Sequence, residues 1–355
     1  MRHILTIIAV CTATAAAAGP AARWLSTTCD FGAFSEERGP RTARFALVNS
    51  GDAPLAILAA RATCGCTTPT YPRDAVAPGD TAYVEVTYDP GGRPGRFAKK
   101  VYVETTAEPS RSTLTVRGTV IGAPHTISRR YPADMGPMMI SHRALMLGEL
   151  YKGRLKTVYF DAYNRSEDSL RVEVARTPSW LDITVAPDAV PPGEQFSLIA
   201  YANSAKCPLY GLVEDSVTIA PRPGELRTLP VTMLVAEDFT SLTPEQAASA
   251  PVALLDTRTL DAGTVDRAGG EVTRTFRITN EGRSPLRIRR IYSSDTGVEV
   301  KLDGGPTLRR GKHATVTVTA DPAKAPADML NARVSIITND PVNPVQTVRL
   351  TALLK

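Results

Sequence analysis

Hydrophobic and polar positions alternate in short runs along most of this chain. Ala82 to Tyr88 and Ala314 to Thr319 switch between apolar and polar with a period of two, and Phe45-Ala-Leu-Val-Asn49 and Phe196 to Tyr201 follow the same rhythm more loosely. A period of two belongs to a strand with one face buried and the other wet. Between these runs lie turn-formers such as Ala77-Pro78-Gly79, Pro191-Pro192-Gly193 and Arg309-Arg310-Gly311. The pattern predicts many short strands joined by tight turns, with little helix. Thr243-Pro244-Glu245 is the exception, where Thr can cap and Pro can open a single helical turn.

The runs recur in register. Asp30-Phe31-Gly32, Leu147-Gly148 and Ala262-Gly263 align, their glycines 116 and then 115 residues apart. Each glycine precedes an asparagine, Asn49, Asn164 or Asn280, by 16 or 17 residues. After it, Asn49-Ser-Gly-Asp-Ala-Pro-Leu-Ala-Ile57 matches Asn280-Glu-Gly-Arg-Ser-Pro-Leu-Arg-Ile288, while the middle copy, Asn164 to Val172, keeps the rhythm without Gly and Pro. About seven strands per ~100 residues predict an all-β protein of three tandem immunoglobulin-like antiparallel β-sandwiches. The expected domains are residues 23–122, 138–236 and 251–355, with Pro-bearing connectors between them.

Residues 1–18 read differently. Met1-Arg2-His3 is a short basic start, Ile4 to Ala18 is apolar, and Ala16-Ala17-Ala18 offers a small-residue cleavage site. This predicts a signal peptide cut after Ala18, with Ala22 as the alternative, and a protein exported to the periplasm or cell envelope. No later stretch reaches membrane-spanning length, so no transmembrane segment is expected in the mature chain. Cys11 leaves with the leader. Cys29, Cys64, Cys66 and Cys207 remain in a compartment that permits disulfides, and four cysteines allow three pairings.

Composition narrows the chemistry. Among 355 residues there are 28 Pro and 25 Gly but only 4 His, which excludes a His-rich metal site. The net charge is +5, with 16 Lys or Arg against 11 Asp or Glu in residues 251–355. Basic groups at Arg93, Arg96, Lys99, Lys100, Arg287, Arg289 and Arg290 read as solvated strand faces and guarded sheet edges. They lack the interleaved aromatics of a nucleic-acid surface, and no nucleic-acid partner is expected. Nucleophile-elbow, zinc-protease, phosphate-loop and dinucleotide motifs are missing, so no enzyme activity and no cofactor are implied. The Gly-rich stretch Asp89 to Gly95 reads as a hairpin loop.

Cys64-Gly65-Cys66 is the one constellation with reactive potential. The two thiols can close a small ring whose strain favours exchange, or hold a soft metal with Cys29. The plainer expectation is a staple from one of them to Cys29. Met135, Met138, Met139 and His142 have the composition of a copper group, but their spacing fits a connector entering a strand. Cys207 reads as a buried small residue, or as a thiol for an intermolecular bridge.

Asp30-Phe31-Gly32, Asn49-x-Gly51, Pro54-Leu55-x-Ile57, Cys64-Gly65-Cys66-Thr67, Pro78-Gly79, Tyr88-Asp89-Pro90, Gly95-Arg96-Phe97-x-Lys99 and Leu114-x-Val116-x-Gly118 follow in that order. This string, over residues ~27–121, resembles the bacterial domain family of unknown function marked by a CGCT motif, abundant in exported proteins of Bacteroidota. That family is similar to Hydin-type (ASH) and major-sperm-protein domains. The resemblance implies an immunoglobulin-like interaction module without catalytic activity. The third copy keeps Asn-x-Gly-x-x-Pro-Leu and Asn339-Asp340-Pro341 but has Ser293-Ser294-Asp295 where the cysteines would lie. Taken together, the expected function is a non-catalytic envelope element, structural or protein-binding, with unidentified envelope proteins as partners. The alternative is a thiol redox or metal-handling protein using Cys64 and Cys66.

Overall fold

The computed structural model describes residues 19–355, and the expected leader, residues 1–18, lies outside them. The protein is all-β, built from immunoglobulin-like sandwiches in tandem. Among the described residues the helical turns are Glu36–Arg38, Pro124–Ile127, Pro244–Ala248 and Pro322–Lys324. The turn at Pro244 carries a full capping box, with Thr243 and Gln246 satisfying each other's backbone N–H groups. The chain divides into two compact units. One takes the chain up to Ser141 with Asp161–Val172 and Ala186–Ser197; the other takes His142–Phe160, Glu173–Val185 and Leu198–Lys355.

In the first unit, β1 (Ala22–Trp24), β2 (Thr28–Ser35), β3 (Arg41–Asn49) and β4 (Ile57–Ala62) are followed by β5 (Thr67–Thr70), β6 (Thr81–Tyr88), β7 (Gly95–Thr105) and β8 (Arg111–Ile121). They form two sheets, ordered β1-β3-β6-β5 and β2-β8-β7-β4. The alternation explains the core. Phe45 and Leu47 on β3 and Val84 and Val86 on β6 point inward, against Val101 and Val103 on β7 and Leu114 and Val116 on β8. Each such side chain, fully buried, contributes roughly 1.5–3 kcal/mol of transfer free energy. Tyr88 and Phe97 join the layers, stacked with centroids 3.8 Å apart.

The loop from Asp89 to Gly95 is not a hairpin. It carries the chain from β6 in one sheet to β7 in the other, so the two strands it joins do not pair. A second difference is the direction of β2. The sequence predicts antiparallel sheets, yet β2 runs parallel to β8, as Leu145–Tyr151 does to Glu225–Ala236 and Thr259–Val265 to Val345–Leu354. The strands of each pair are separated by most of a copy, so the long connection that parallel pairing requires is present.

Each parallel pair slips register at the shared glycine, between Asp30 and Ala33, Met146 and Glu149, and Asp261 and Thr264. Gly32, Gly148 and Gly263 have φ of 66°, 71° and 70°, a left-handed bulge conformation that costs a side chain dearly. In the first and last of these, the preceding Asp accepts the glycine N–H at 2.9 and 2.8 Å.

The recurring asparagine has an equally definite task. Asn49, Asn164 and Asn280 are fully buried. Each Nδ2 donates to the carbonyl four residues on, at 2.8, 2.8 and 2.9 Å. Each also donates at 2.9 Å to a distant carbonyl, of Val76, Val190 or Leu308. Their Oδ1 atoms accept the N–H of Gly51, Ser166 and Gly282. The same clasp thus closes the same turn three times.

The first unit continues through the turn Pro124–Ile127, which the connector's sequence did not predict, to the strand Met138–Ile140. This strand pairs antiparallel with Ala162 to Asn164. Ile121, Ile127, Tyr131, Met139 and Tyr163 form a small core there. In the second unit, Leu145–Tyr151, Glu225–Ala236, Gly211–Arg222 and Glu173–Arg176 make one sheet. Beyond it, Ala253–Leu255, Val272–Asn280, His313–Ala320 and Val298–Asp303 make another. It faces the sheet of Thr259–Val265, Val345–Leu354, Met329–Thr338, Leu286–Ser293 and Thr307–Leu308 across a core containing Phe276, Val316, Val334 and Leu350.

Candidate functional site

Strand β4 is the outer strand of one sheet and β5 the outer strand of the other. The chain crosses between them through Thr63-Cys64-Gly65-Cys66. The Thr63 N–H donates to the Lys100 carbonyl at 3.1 Å and the Asp89 N–H to the Cys66 carbonyl at 2.9 Å, so both ends of the crossover are tied to neighbouring strands. Within it, Cys64 and Cys66 are bonded to each other, with Cα atoms 5.3 Å apart. Cys66 is buried, Cys64 half-buried and Gly65 exposed. The hydroxyl of Thr67, itself buried, lies 3.4 Å from Cys64 Sγ and 3.7 Å from Cys66 Sγ. A disulfide sulfur carries no hydrogen, so Thr67 is the donor in these contacts.

The expected staple to Cys29 is not formed, and Cys29 is a free thiol. The reason is topological. Cys29 lies on β2, and β2 and β4 are opposite outer strands of one sheet with β8 and β7 between them. Three strand spacings amount to about 14 Å, about twice the Cα separation a disulfide can span. Burial, and then the Asp30 carboxylate beside it, push the Cys29 thiol above its ordinary range. It is therefore neither a bridge partner nor an activated nucleophile. A three-residue ring also makes a weak staple. Chain entropy assigns it roughly 1.6 kcal/mol, against about 3 for a 15-residue loop.

Bonded to each other, the two sulfurs present no thiolate pair to a metal. Among the described residues no group of three or more His, Cys, Asp or Glu is placed to hold an ion. Met135, Met138 and Met139 are buried as packing residues, and His142 meets Phe160 edge-on at 5.7 Å. Cys207 is buried, and its carbonyl accepts a hydrogen bond from Lys152.

Several basic groups prove to have internal partners. Arg96 pairs with Glu194 at 2.5 Å, and Arg117 with Asp30 at 2.9 Å; both line a cavity of about 580 Å³ in the first unit, with Phe97 and Pro191. Arg289 donates to Glu237 at 2.9 Å and Arg290 to the carbonyl of Leu212 at 2.7 Å.

Glu36 was missed by sequence reasoning. It is buried at the end of β2, where its carboxylate accepts the N–H of Gly92 at 2.7 Å, the N–H of Ala123 at 2.9 Å and the hydroxyl of Thr126 at 3.0 Å. Burial alone would raise its pKa, but these donors, helped by His125, hold it below the usual carboxylate range. Ser35-Glu36-Glu37 looks like any solvated acidic turn, and its partners are 56 to 90 residues away, so no local signal reveals it.

A family described as proteins of unknown function (DUF1573) matches residues 22–120 and again 254–353, leaving the middle copy unmatched. None of the curated proteins matches the chain. Among solved structures, a Porphyromonas gingivalis W83 protein of unknown function is 22% identical, with a TM-score of 0.48 over 62% of this chain and 100% of that one. An endo-fucoidan hydrolase of glycoside hydrolase family 107 is 10% identical, with a TM-score of 0.27 over 89% of this chain and 41% of that one. An I-band fragment of titin, I67-I69, is 11% identical, with a TM-score of 0.28 over 95% of this chain and 99% of that one.

Proposed function

The chain belongs to the DUF1573 family, whose members are of unknown function, and on that premise we propose that it is a non-catalytic, exported element of the cell envelope that acts through structure or protein binding. One observation carries this reading. What the copies share is spent inward on architecture: the fully buried Asn49, Asn164 and Asn280 clasp turns, and Gly32, Gly148 and Gly263 form bulges. Residues repeated at one spacing for backbone closure specify a scaffold. The outer strands of each sheet, β1 and β5 in one and β2 and β4 in the other, then offer edges for strand addition by an extended segment of a partner.

Export is supported by the basic, apolar and small-residue order of residues 1–18. The fold favours cleavage after Ala18 over Ala22. The carbonyl of Ala21 accepts the Ser50 N–H at 2.8 Å, and Ala22 pairs with Asn49, so a cut after Ala22 would remove the outer strand's first contacts.

The test is crosslinking in intact envelopes with a tagged full-length chain, followed by fractionation. Reproducible recovery of an envelope protein, lost when an outer strand is disrupted by proline, is the expected result. Retention of the chain in the cytoplasm, or recovery of no reproducible partner, overturns the reading.

A further inference from the structure

We propose that the Cys64–Cys66 disulfide is a thiol–disulfide exchange site, attacked at Cys64 Sγ by a dithiol protein of the thioredoxin class. This goes beyond the scaffold reading and does not rest on it. The exchange is stoichiometric and concerns the surface of one sandwich.

Three observations carry it. The bond is presented from one side: Cys64 is half-buried beside exposed Gly65, whereas Cys66 is 6% exposed and faces the core. An attacking thiolate must approach in line with the bond, so the accessible sulfur is the one attacked and the buried sulfur leaves. Second, a hydroxyl donor is already in place at the bond. Thr67 Oγ1 reaches both sulfurs, 3.4 Å from Cys64 Sγ and 3.7 Å from Cys66 Sγ, and belongs to the first residue of β5, whose pairing with Tyr88 fixes it. Once the bond opens, the hydroxyl is free to donate to the buried Cys66 thiolate.

Third, the crossover does not need the bond. In the last copy the same passage between sheets is made at Ser293-Ser294-Asp295. There, Asp295 Oδ2 accepts the Arg333 N–H at 2.6 Å, and Ser293 Oγ accepts the Asp295 N–H at 3.2 Å. A carboxylate and a hydroxyl hold that turn. The corresponding disulfide closes a ring of only three residues, which restrains the unfolded chain little. A bond that adds so little as a staple, placed at an exposed edge, is suited to being broken.

The step balances as follows. The partner's first thiolate forms a bond to Cys64 Sγ while the Cys64–Cys66 bond breaks. Its electron pair goes to Cys66 Sγ, which accepts the Thr67 hydrogen bond and takes a proton from water. The partner's second thiol, deprotonated, attacks its own sulfur in the mixed disulfide. Cys64 then leaves as a thiolate and is protonated. Two electrons and two protons pass from the partner dithiol, which becomes a disulfide, to the cysteine pair. Cys29, on the opposite outer strand, takes no part, so the second thiol is the partner's.

The experiment uses the folded full-length chain and a thioredoxin whose resolving cysteine is replaced by serine, so that the mixed disulfide is trapped. The expected result is one adduct per chain, at least about tenfold more on Cys64 than on Cys66 by mass mapping, as relative access dictates. A double variant, Cys64→Ser with Cys66→Ser, is expected to fold with an unfolding midpoint close to that of the parent and to form no adduct. An adduct on Cys66 or Cys29 overturns the proposal, as does the absence of any adduct until the chain is denatured. Loss of folding in the double variant overturns it as well, because it would show a staple.

Discussion

Asn49 donates from Nδ2 to the carbonyl of Val76 at 2.9 Å, joining the end of β3 to the segment that precedes β6. The same atom reaches Ala53, and Oδ1 takes the N–H of Gly51. Replacing Asn49 with Ala strands a donor and two acceptors in the interior, at a cost of about 2–4 kcal/mol. Asn49→Asp keeps the acceptor and loses both donations, so it should be destabilised as well. Urea unfolding of the two variants measures this, and a midpoint equal to the parent's for Asn49→Ala would refute the clasp.

The Glu36 carboxylate makes the first unit sensitive to acid. Its folded pKa lies below the ordinary 4.5. Its contribution is therefore complete above that value and is lost as pH falls through the folded pKa. Glu36→Gln places an NH₂ group against donors that need an acceptor. It should cost about 1–3 kcal/mol at neutral pH, a deficit that shrinks in acid, where Glu36 is protonated too. Chemical unfolding of parent and variant at pH 7 and well below 4.5 tests this; a deficit that does not change with pH refutes it.

Gly282 meets the chain that enters the last copy. A Cβ there would lie 2.4 Å from the Ala250 carbonyl and from the Val252 nitrogen. Neither backbone atom can yield cheaply, so Gly282→Ala should cost about 1–3 kcal/mol, the usual range for overpacking. Ser166 stands at the corresponding place in the middle copy, where its hydroxyl bonds to Asn164 Oδ1 at 2.7 Å. Ser166→Gly is accordingly expected to be mild. Thermal unfolding of both variants decides, and equal losses would contradict the steric account.

Under the export reading, the mature protein begins at Gly19. Intact mass and N-terminal sequencing of the chain recovered from an envelope fraction should find Gly19-Pro20-Ala21. A start at Arg23 would refute the argument from β1, since it removes the residues that pair with Asn49 and Ser50.

What was legible in this sequence was local or periodic. Alternation at Ala82 to Tyr88 and Ala314 to Thr319 marks strands because side chains of a strand point to opposite faces by covalent geometry. The spacing of Gly32, Gly148 and Gly263, and of the three asparagines, exposed a repeated unit because each performs the same backbone task at the same place. Even the helical turn at Pro244 was written in its first residues.

Where the chain crosses from sheet to sheet was not written locally, and that decided the rest. The stretch Asp89 to Gly95 has the composition of a hairpin, yet whether its flanking strands pair depends on which neighbours β6 and β7 find. The partner of Cys64 depends likewise on strand order, which puts β2 three spacings from β4 and leaves Cys66 as the sulfur within reach. Glu36 is the extreme case, an unremarkable acid in sequence that becomes a buried acceptor only when three distant donors converge on it. The sequence by itself determined the strands, their repeat and the turns that close them, because those follow from the geometry of a few neighbouring residues. The tertiary structure alone decided which sulfurs meet and which carboxylate is buried, because those depend on the order in which strands pack.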